Sequence, residues 1–358
     1  LLLDMGQLDD AAHVLKKGLE TGHPDNALKA GDLLADVYEN SGEVHAWGEL
    51  ITYMSELEPK ASDTGLRALY CARSMWRNAQ GERNEGFDDA KRAVDVAHPG
   101  RDAQRAAQRL VYTCLSQGEL DLGEQAARSA LKHAQEHPEL KARSLRALGT
   151  VLVWKHRASE AIEHFQALIQ LARRYGFNAR LPIGWYDLGE AFRTNLDVER
   201  ARDAYRMAQN TARSMKLEAV IQLVRPKLFI CDILEDHGEN IVEDIDAFIP
   251  DAQAAGLGLA EPFGRLLQAW FYARQGETKR ALESYSLVPE MRDMAIDPQF
   301  PLMMEEIALA FSSSSDSAIL DARDEAYALA EEFWTRFGQA ERAQALEQGP
   351  PRGPGEGT

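Results

Sequence analysis

One pattern occurs twice in this chain at a fixed interval, and that repetition restricts the fold more than any single residue does. Trp185-x2-Leu188-Gly189-x2-Phe192 is followed by Ala201-x3-Tyr205-x2-Ala208. Forty residues earlier, Leu145-x2-Leu148-Gly149-x2-Leu152 precedes Ala161-x3-Phe165-x2-Leu168. In both copies the glycine and the following small residue are twelve positions apart. Leu145, Leu148, Gly149 and Leu152 stand at i, i+3, i+4 and i+7, which places them on one stripe of a helix. Neither helix of such a pair can bury its stripe alone, whereas stacked copies share one continuous core. The register predicts that Gly149 admits its partner helix closely and that Phe165 fills the space between them.

The pattern resembles the tetratricopeptide repeat, a helix-turn-helix unit with W-x2-L-G-x2-Y on its first helix and a small residue followed by an aromatic on its second. In that register Tyr272, Gly276, Ala281 and Tyr285 form a further unit, with Ala269 twelve positions before Ala281. Ala35, Tyr38, Gly42, Trp47 and Ile51 form another, in which Trp47 stands where alanine is expected. Val111, Cys114, Gly118, Gly123 and Ala127 form a third. Fainter copies centre on Ala11, Leu15 and Gly18, on Ala90, Val94 and Ala97, on Val242 to Phe248, and on Ala322, Ala326 and Leu329. The resemblance implies an all-α fold, a right-handed superhelical solenoid of antiparallel helix hairpins, with about nine irregularly spaced units over residues 1–346. Residues 347–358, dense in Pro and Gly, are expected to be a disordered tail or linker. Unit intervals near forty residues are similar to those of long-helix arrays in bacterial signalling and regulatory proteins.

Punctuation agrees with this organisation. Pro24 and Pro59 mark unit borders, because proline cannot continue a helix from within. The stretch from Asn78 to Asp89 reads as a polar loop inside a unit, and Ser312 to Ser315 as a short turn between helices. The opening LLLDMGQLDD lacks an initiator methionine and starts inside a helical pattern, so the chain is expected to be a piece of a longer protein.

Charge narrows the partners. The chain carries 57 acidic residues against 40 Lys plus Arg, a formal net charge of −17, which argues against direct nucleic-acid binding. No run approaches the ~18 apolar residues that span a bilayer, so no membrane partner is expected. Cys71, Cys114 and Cys231 are odd in number and far apart. They suggest reduced thiols in a cytoplasmic protein rather than a disulfide framework or thiolate metal site.

The sequence contains no HExxH, GxxxxGK[ST], GxSxG or strand-led GxGxxG pattern. His133 and His137, i, i+4 on an expected helix, would need further ligands that no suitable spacing supplies. No catalytic residue, metal or cofactor is therefore expected, and the chain reads as a non-enzyme. The resemblance directs attention instead to a concave groove lined by the first helices of successive units. Flanking the packing stripe there are Arg105, Gln108, Arg109 and Tyr112, then Arg143, Arg146, Thr150 and Trp154, then Ile183, Tyr186, Asp187, Glu190 and Arg193. The candidate ligand- or partner-binding residues are Arg105, Arg109, Tyr112, Arg143, Arg146, Trp154, Tyr186, Glu190 and Arg193. Trp154, Tyr186 and Trp270 offer either ligand platforms or packing against the next unit.

Arg105, Arg109, Arg143 and Arg146 would converge in that groove, where guanidinium forks suit a carboxylate or phosphate. The plainer reading pairs them with local acids. Asp232, Glu235 and Asp236 would make a later part of the groove acidic, and the resulting polarity would orient a bound segment. The expected function is a non-catalytic protein-protein interaction or sensor module, a fragment of a larger bacterial regulatory or signalling protein. It would bind a protein or peptide partner, or else a small acidic effector, in the groove. The alternative is an accessory segment of an enzyme, a kinase or signalling ATPase, whose catalytic domain lies outside this chain.

Overall fold

The computed structural model describes residues 8–41, 43–134, 137–237, 240–254, 260–286 and 297–347. Among them are eighteen α-helices, two short 3-10 turns at Glu58–Lys60 and Asn178–Arg180, and no strand. A leading helix, α1 (Leu8–Leu19), precedes a series of antiparallel hairpins. These are α2 (Pro24–Ser41) with α3 (Val44–Glu56), α4 (Asp63–Ala79) with α5 (Arg83–Asp95), α6 (Arg101–Gln117) with α7 (Leu120–His133), and α8 (Pro138–Trp154) with α9 (Ala158–Tyr175). They continue as α10 (Leu181–Thr194) with α11 (Val198–Ser214), α12 (Glu218–Leu234) with α13 (Ile241–Ala254), and α14 (Ala260–Arg274) with α15 (Thr278–Tyr285). Last come α16 (Phe300–Phe311), α17 (Ser317–Arg336) and the short α18 (Ala340–Glu347). The all-α hairpin repeat read from the sequence is present. Of the expected tail, only Glu347 lies within the described residues.

Contacts divide the chain into two compact units, Leu1–Ala191 and Phe192–Thr358. In the first unit each leading helix packs on the next, α2 on α4, α4 on α6 and α6 on α8. The second helices sit between them, α5 against α4 and α6, and α7 against α6 and α8. In the second unit α12 packs on α11 and α13, α14 on α13, α15 and α16, and α16 on α17. Each helix therefore buries its stripe against neighbours in sequence, as a repeat fold requires.

One turn recurs inside these hairpins. A residue with left-handed backbone stands after the first helix at Gly81, Gly118, His156, Leu196, Asp236 and Gly276. The intervals are 37, 38, 40, 40 and 40 residues. At His156 the N–H donates to the Val153 carbonyl (2.9 Å) and the next N–H, of Arg157, to the Leu152 carbonyl (2.8 Å). This Schellman pairing closes the helix and satisfies carbonyls that the helix leaves open. Leu196 with Asp197, and Gly118 with Glu119, repeat it on Arg193 and Phe192, and on Leu115 and Cys114.

Packing follows the register. A methyl group placed on Gly149 would sit 2.6 Å from the Phe165 ring, so the two helices touch where the sequence predicts. The small residues of the second helices, Ala90, Ala127, Ala161, Ala201 and Ala281, are fully buried. Trp47, in place of alanine, is also buried. Its ring meets Trp76 edge-on with centroids 5.3 Å apart, and Gly48 beside it leaves room for that second indole.

Two expectations change. The polar loop expected from Asn78 to Asp89 shrinks to residues 80–82, because Gly81 closes α4 and α5 begins at Arg83. His133 ends α7 while His137 precedes α8, so the two histidines do not share a helix face. Of the two readings of Trp270, packing holds: it is buried, with its indole N–H donating to Glu306 (2.8 Å).

Candidate ligand groove

The leading helices of the first unit carry charge where a globular core would carry hydrocarbon. On α2, Asp32 and Asp36 stand at i, i+4 and project from the same side. Arg105 and Arg109 do so on α6, and Arg143 and Arg146 stand one turn apart on α8. The helices bring these groups together. Arg105 donates from Nε to Asp32 Oδ2 (2.5 Å) and from one terminal nitrogen to Asp32 Oδ1 (2.7 Å). Both its terminal nitrogens also donate to Asp36 Oδ2 (3.1 Å each). Arg109 donates to Asp36 Oδ1, and Arg143 lies 3.9 Å from Asp36 Oδ2. From α4, Arg67 donates to Asp32 (2.6 Å) and pairs with Asp102 (3.2 Å). Four successive leading helices thus share one ion network.

The network sets its own protonation. Burial opposes ionisation of Asp32 and Asp36. The guanidinium groups of Arg105 and Arg67 around Asp32, and of Arg105, Arg109 and Arg143 around Asp36, overcome it and hold both carboxyls below their ordinary range. Burial pulls the other way on the arginines too, yet the aspartates raise Arg105 and Arg109 above their ordinary value. Asp32, Asp36, Arg67, Arg105 and Arg109 stay charged. Buried ion pairs of this kind are weak evidence for stability, since desolvation offsets most of the attraction. They do fix geometry.

Beside the network, Arg146 donates from Nε to Asp187 Oδ2 (2.7 Å). Tyr112 and Tyr186 lie within its electrostatic reach. Asp187 has its carboxyl raised by burial, against the pull of Arg146 and with the buried Glu190 adding to the rise. Glu39, three residues beyond Asp36, also has its carboxyl raised by its surroundings, with Arg109 opposing and Asp36 adding. Its side chain is nevertheless exposed to solvent. Nε of Arg109 is buried and makes no hydrogen bond among the described residues.

Most of the predicted set comes together within the first unit: Arg105, Arg109, Arg143 and Arg146, with Tyr112, Tyr186 and Glu190 around Arg146 and Asp187. Each of those arginines faces a carboxylate, so the plainer sequence reading holds, though the pairs are partly or wholly buried rather than on a solvated face. Trp154 is half-buried at the end of α8. Arg193 belongs to the second unit and is wholly buried. Asp232 and Glu235 pair with Arg202 on α11. Asp236, the third acid expected to make a later part of the groove acidic, is mostly exposed and lies 3.5 Å from Arg274. The sequence reading missed Asp32, Asp36 and Arg67, since acids at i, i+4 on a helix ordinarily face solvent and give no signal of a partner.

Among the described residues no group of three or more His, Cys, Asp or Glu could hold a metal ion, and no helix is long and apolar enough to cross a membrane. The three cysteines are buried and form no disulfide with one another, and burial pushes Cys71 up to about 11 and Cys114 up to about 12.

Neither a protein-family model nor a curated protein sequence matches the chain. Solved structures do. A Rap protein complexed with competence and sporulation factor aligns with a TM-score of 0.64 at 13% identity, covering 95% of this chain and 99% of that one. The apo form of RapI aligns at 0.59 and 13% identity, covering 76% and 99%. The apo form of the quorum sensor NprR from B. thuringiensis aligns at 0.55 and 12% identity, covering 96% of each chain. At such identities the shared property is the fold. Hairpins closed by one recurring turn, small residues buried in register and this likeness together give the chain a tetratricopeptide-like helical-repeat fold, the one it shares with Rap and NprR.

Proposed function

We propose that the chain is a non-catalytic sensor or protein-interaction module that receives an extended peptide on the inner face of its first unit. The observation that carries this is the convergence of α2, α4, α6 and α8 on one buried ion network, flanked by Arg146, Tyr112, Tyr186 and the exposed Glu39. A ligand with a carboxylate alone would compete with Asp36 and Asp187 for guanidinium groups that are already engaged. A peptide offers donors and acceptors along its length, and so matches a face that presents both signs of charge and aromatic rings. Two structural neighbours, a Rap protein complexed with competence and sporulation factor and a quorum sensor, support a sensor role for this fold. The buried thiols fit a reducing, cytoplasmic setting.

The test is selection from a random peptide library against the full chain, followed by titration of the enriched peptide. The Tyr112→Ala/Arg146→Gln variant, checked for folding by circular dichroism, should bind about tenfold or more weakly, the loss of one or two interface contacts. No saturable peptide, or equal affinity for both proteins, would overturn the reading.

A further inference from the structure

The second unit carries its own charged cluster, and one of its members arrives from far along the chain. Arg193 closes α10 three residues before the left-handed Leu196, and Lys227 sits on α12 nine residues before Asp236. Arg109 and Asp187 stand nine before Gly118 and Leu196, the same register position as Lys227. Lys227 therefore occupies the row that carries Arg109 and Asp187 in the first unit. Against these cations lies Asp297, more than a hundred residues beyond Arg193 and just before α16. One Arg193 nitrogen donates to both its oxygens (2.9 and 3.0 Å). Lys227 Nζ donates to Oδ2, and the backbone N–H of Gln299 to Oδ1 (2.8 Å). Arg193 Nε donates to the Tyr205 hydroxyl (3.0 Å), and Gln299 accepts from Arg193 and donates back to its carbonyl. Arg193 and Asp297 are fully buried, and Lys227 and Gln299 nearly so.

As a device for stability alone this arrangement is poor, because three buried charges lose hydration that an apolar trio would not lose. As a receptor for a carboxylate it is well built. A guanidinium, an ammonium and a backbone N–H converge on two oxygens, and Tyr205 and Gln299 orient the guanidinium from behind. We propose that Arg193, Lys227 and the backbone N–H of Gln299 form a carboxylate-binding site, filled in this structure by the chain's own Asp297, and that a carboxylate from another molecule can take the same place. This reading does not depend on the peptide groove of the first unit.

The test uses the full chain with Asp297→Ala, which removes the internal carboxylate and leaves its space. In sodium chloride the variant should melt about 10 °C below the parent, the scale expected when buried cations lose their counter-charge. Sodium formate at equal ionic strength should recover several degrees in the variant and leave the parent unmoved. The double variant Arg193→Ala/Asp297→Ala should not respond. If Asp297→Ala does not fold in chloride, its refolding yield with and without formate gives the same comparison. N-acetylalanine and N-acetylaspartic acid amide then separate the two natural sources, a chain terminus and an acidic side chain. Rescue by either supports the site and identifies its source. Formate giving no more than chloride, or equal recovery in the double variant, overturns it.

Discussion

At the scale of the residue, backbone conformation is the most sensitive quantity. Leu196 holds the left-handed position that closes α10, with φ 60° and three quarters of its surface exposed. An L-residue loses roughly 1–2 kcal/mol in that conformation, whereas glycine adopts it freely but orders more chain on folding. Leu196→Gly should therefore stabilise the protein by about 0.5–1 kcal/mol, read as a higher urea midpoint with an unchanged m-value. A lower midpoint would mean the exposed leucine makes contacts that outweigh its backbone strain. The same residues show why sequence reading went as far as it did. Gly118 and Gly276 announce the turn because glycine is the residue it favours. His156, Leu196 and Asp236 occupy it silently, and only the forty-residue interval reveals them. Gly149 and Phe165 were legible because apolar periodicity encodes packing. Asp32 and Asp36 were not, since acids one turn apart on a helix ordinarily face water.

At the scale of the element, α3 departs from its own repeat. At the position where α9, α11 and α15 place alanine and α7 places Gly123 against the partner helix, α3 places Trp47, edge-on against Trp76. Beside it runs a cleft of about 520 Å³ lined by Gly48, Ile51, Trp76, Arg73 and Arg77. The indole N–H of Trp47 is buried without a hydrogen bond among the described residues, so the ring earns its place by contact area alone. Trp47→Ala restores the residue the repeat pattern expects and would, on pattern alone, be neutral or stabilising. The packing predicts the reverse, a loss of about 3–5 kcal/mol as a buried indole is replaced by a void next to an existing cleft. Chemical denaturation decides between them. A variant as stable as the parent would mean that α3 can settle onto α4 without the ring. Such departures are invisible in a register built on averages, because the register states what fits most units and not what a neighbour has changed to accept.

At the scale of the whole molecule, the excess of acid makes proton binding the term that orders stability. His164 has its pKa pushed below its ordinary 6.5 by burial and by Arg128. The unfolded chain therefore binds that proton more readily, and stability begins to decline as pH falls below about 6.5. Glu124 has lost hydration, but Lys155, Arg128 and Arg157 hold its carboxyl down at about 2, from an ordinary 4.5. Asp32, Asp36 and Asp297 are depressed in the same direction by their cations. A carboxyl with a depressed native pKa contributes stability that is fully present above its unfolded value and is lost as pH falls toward the native one. Asp187 opposes this, since burial raises its pKa. It binds a proton more readily in the folded state and softens the first part of the fall. The expected profile is a shallow decline beginning near pH 6.5, then a steep loss between 4.5 and 2. Thermal melts across that range measure it directly, and His164→Asn should flatten the upper limb while leaving the lower one. A stability that holds level or rises from pH 4.5 to 2.5 would mean that the buried ion networks are not charged as the geometry requires.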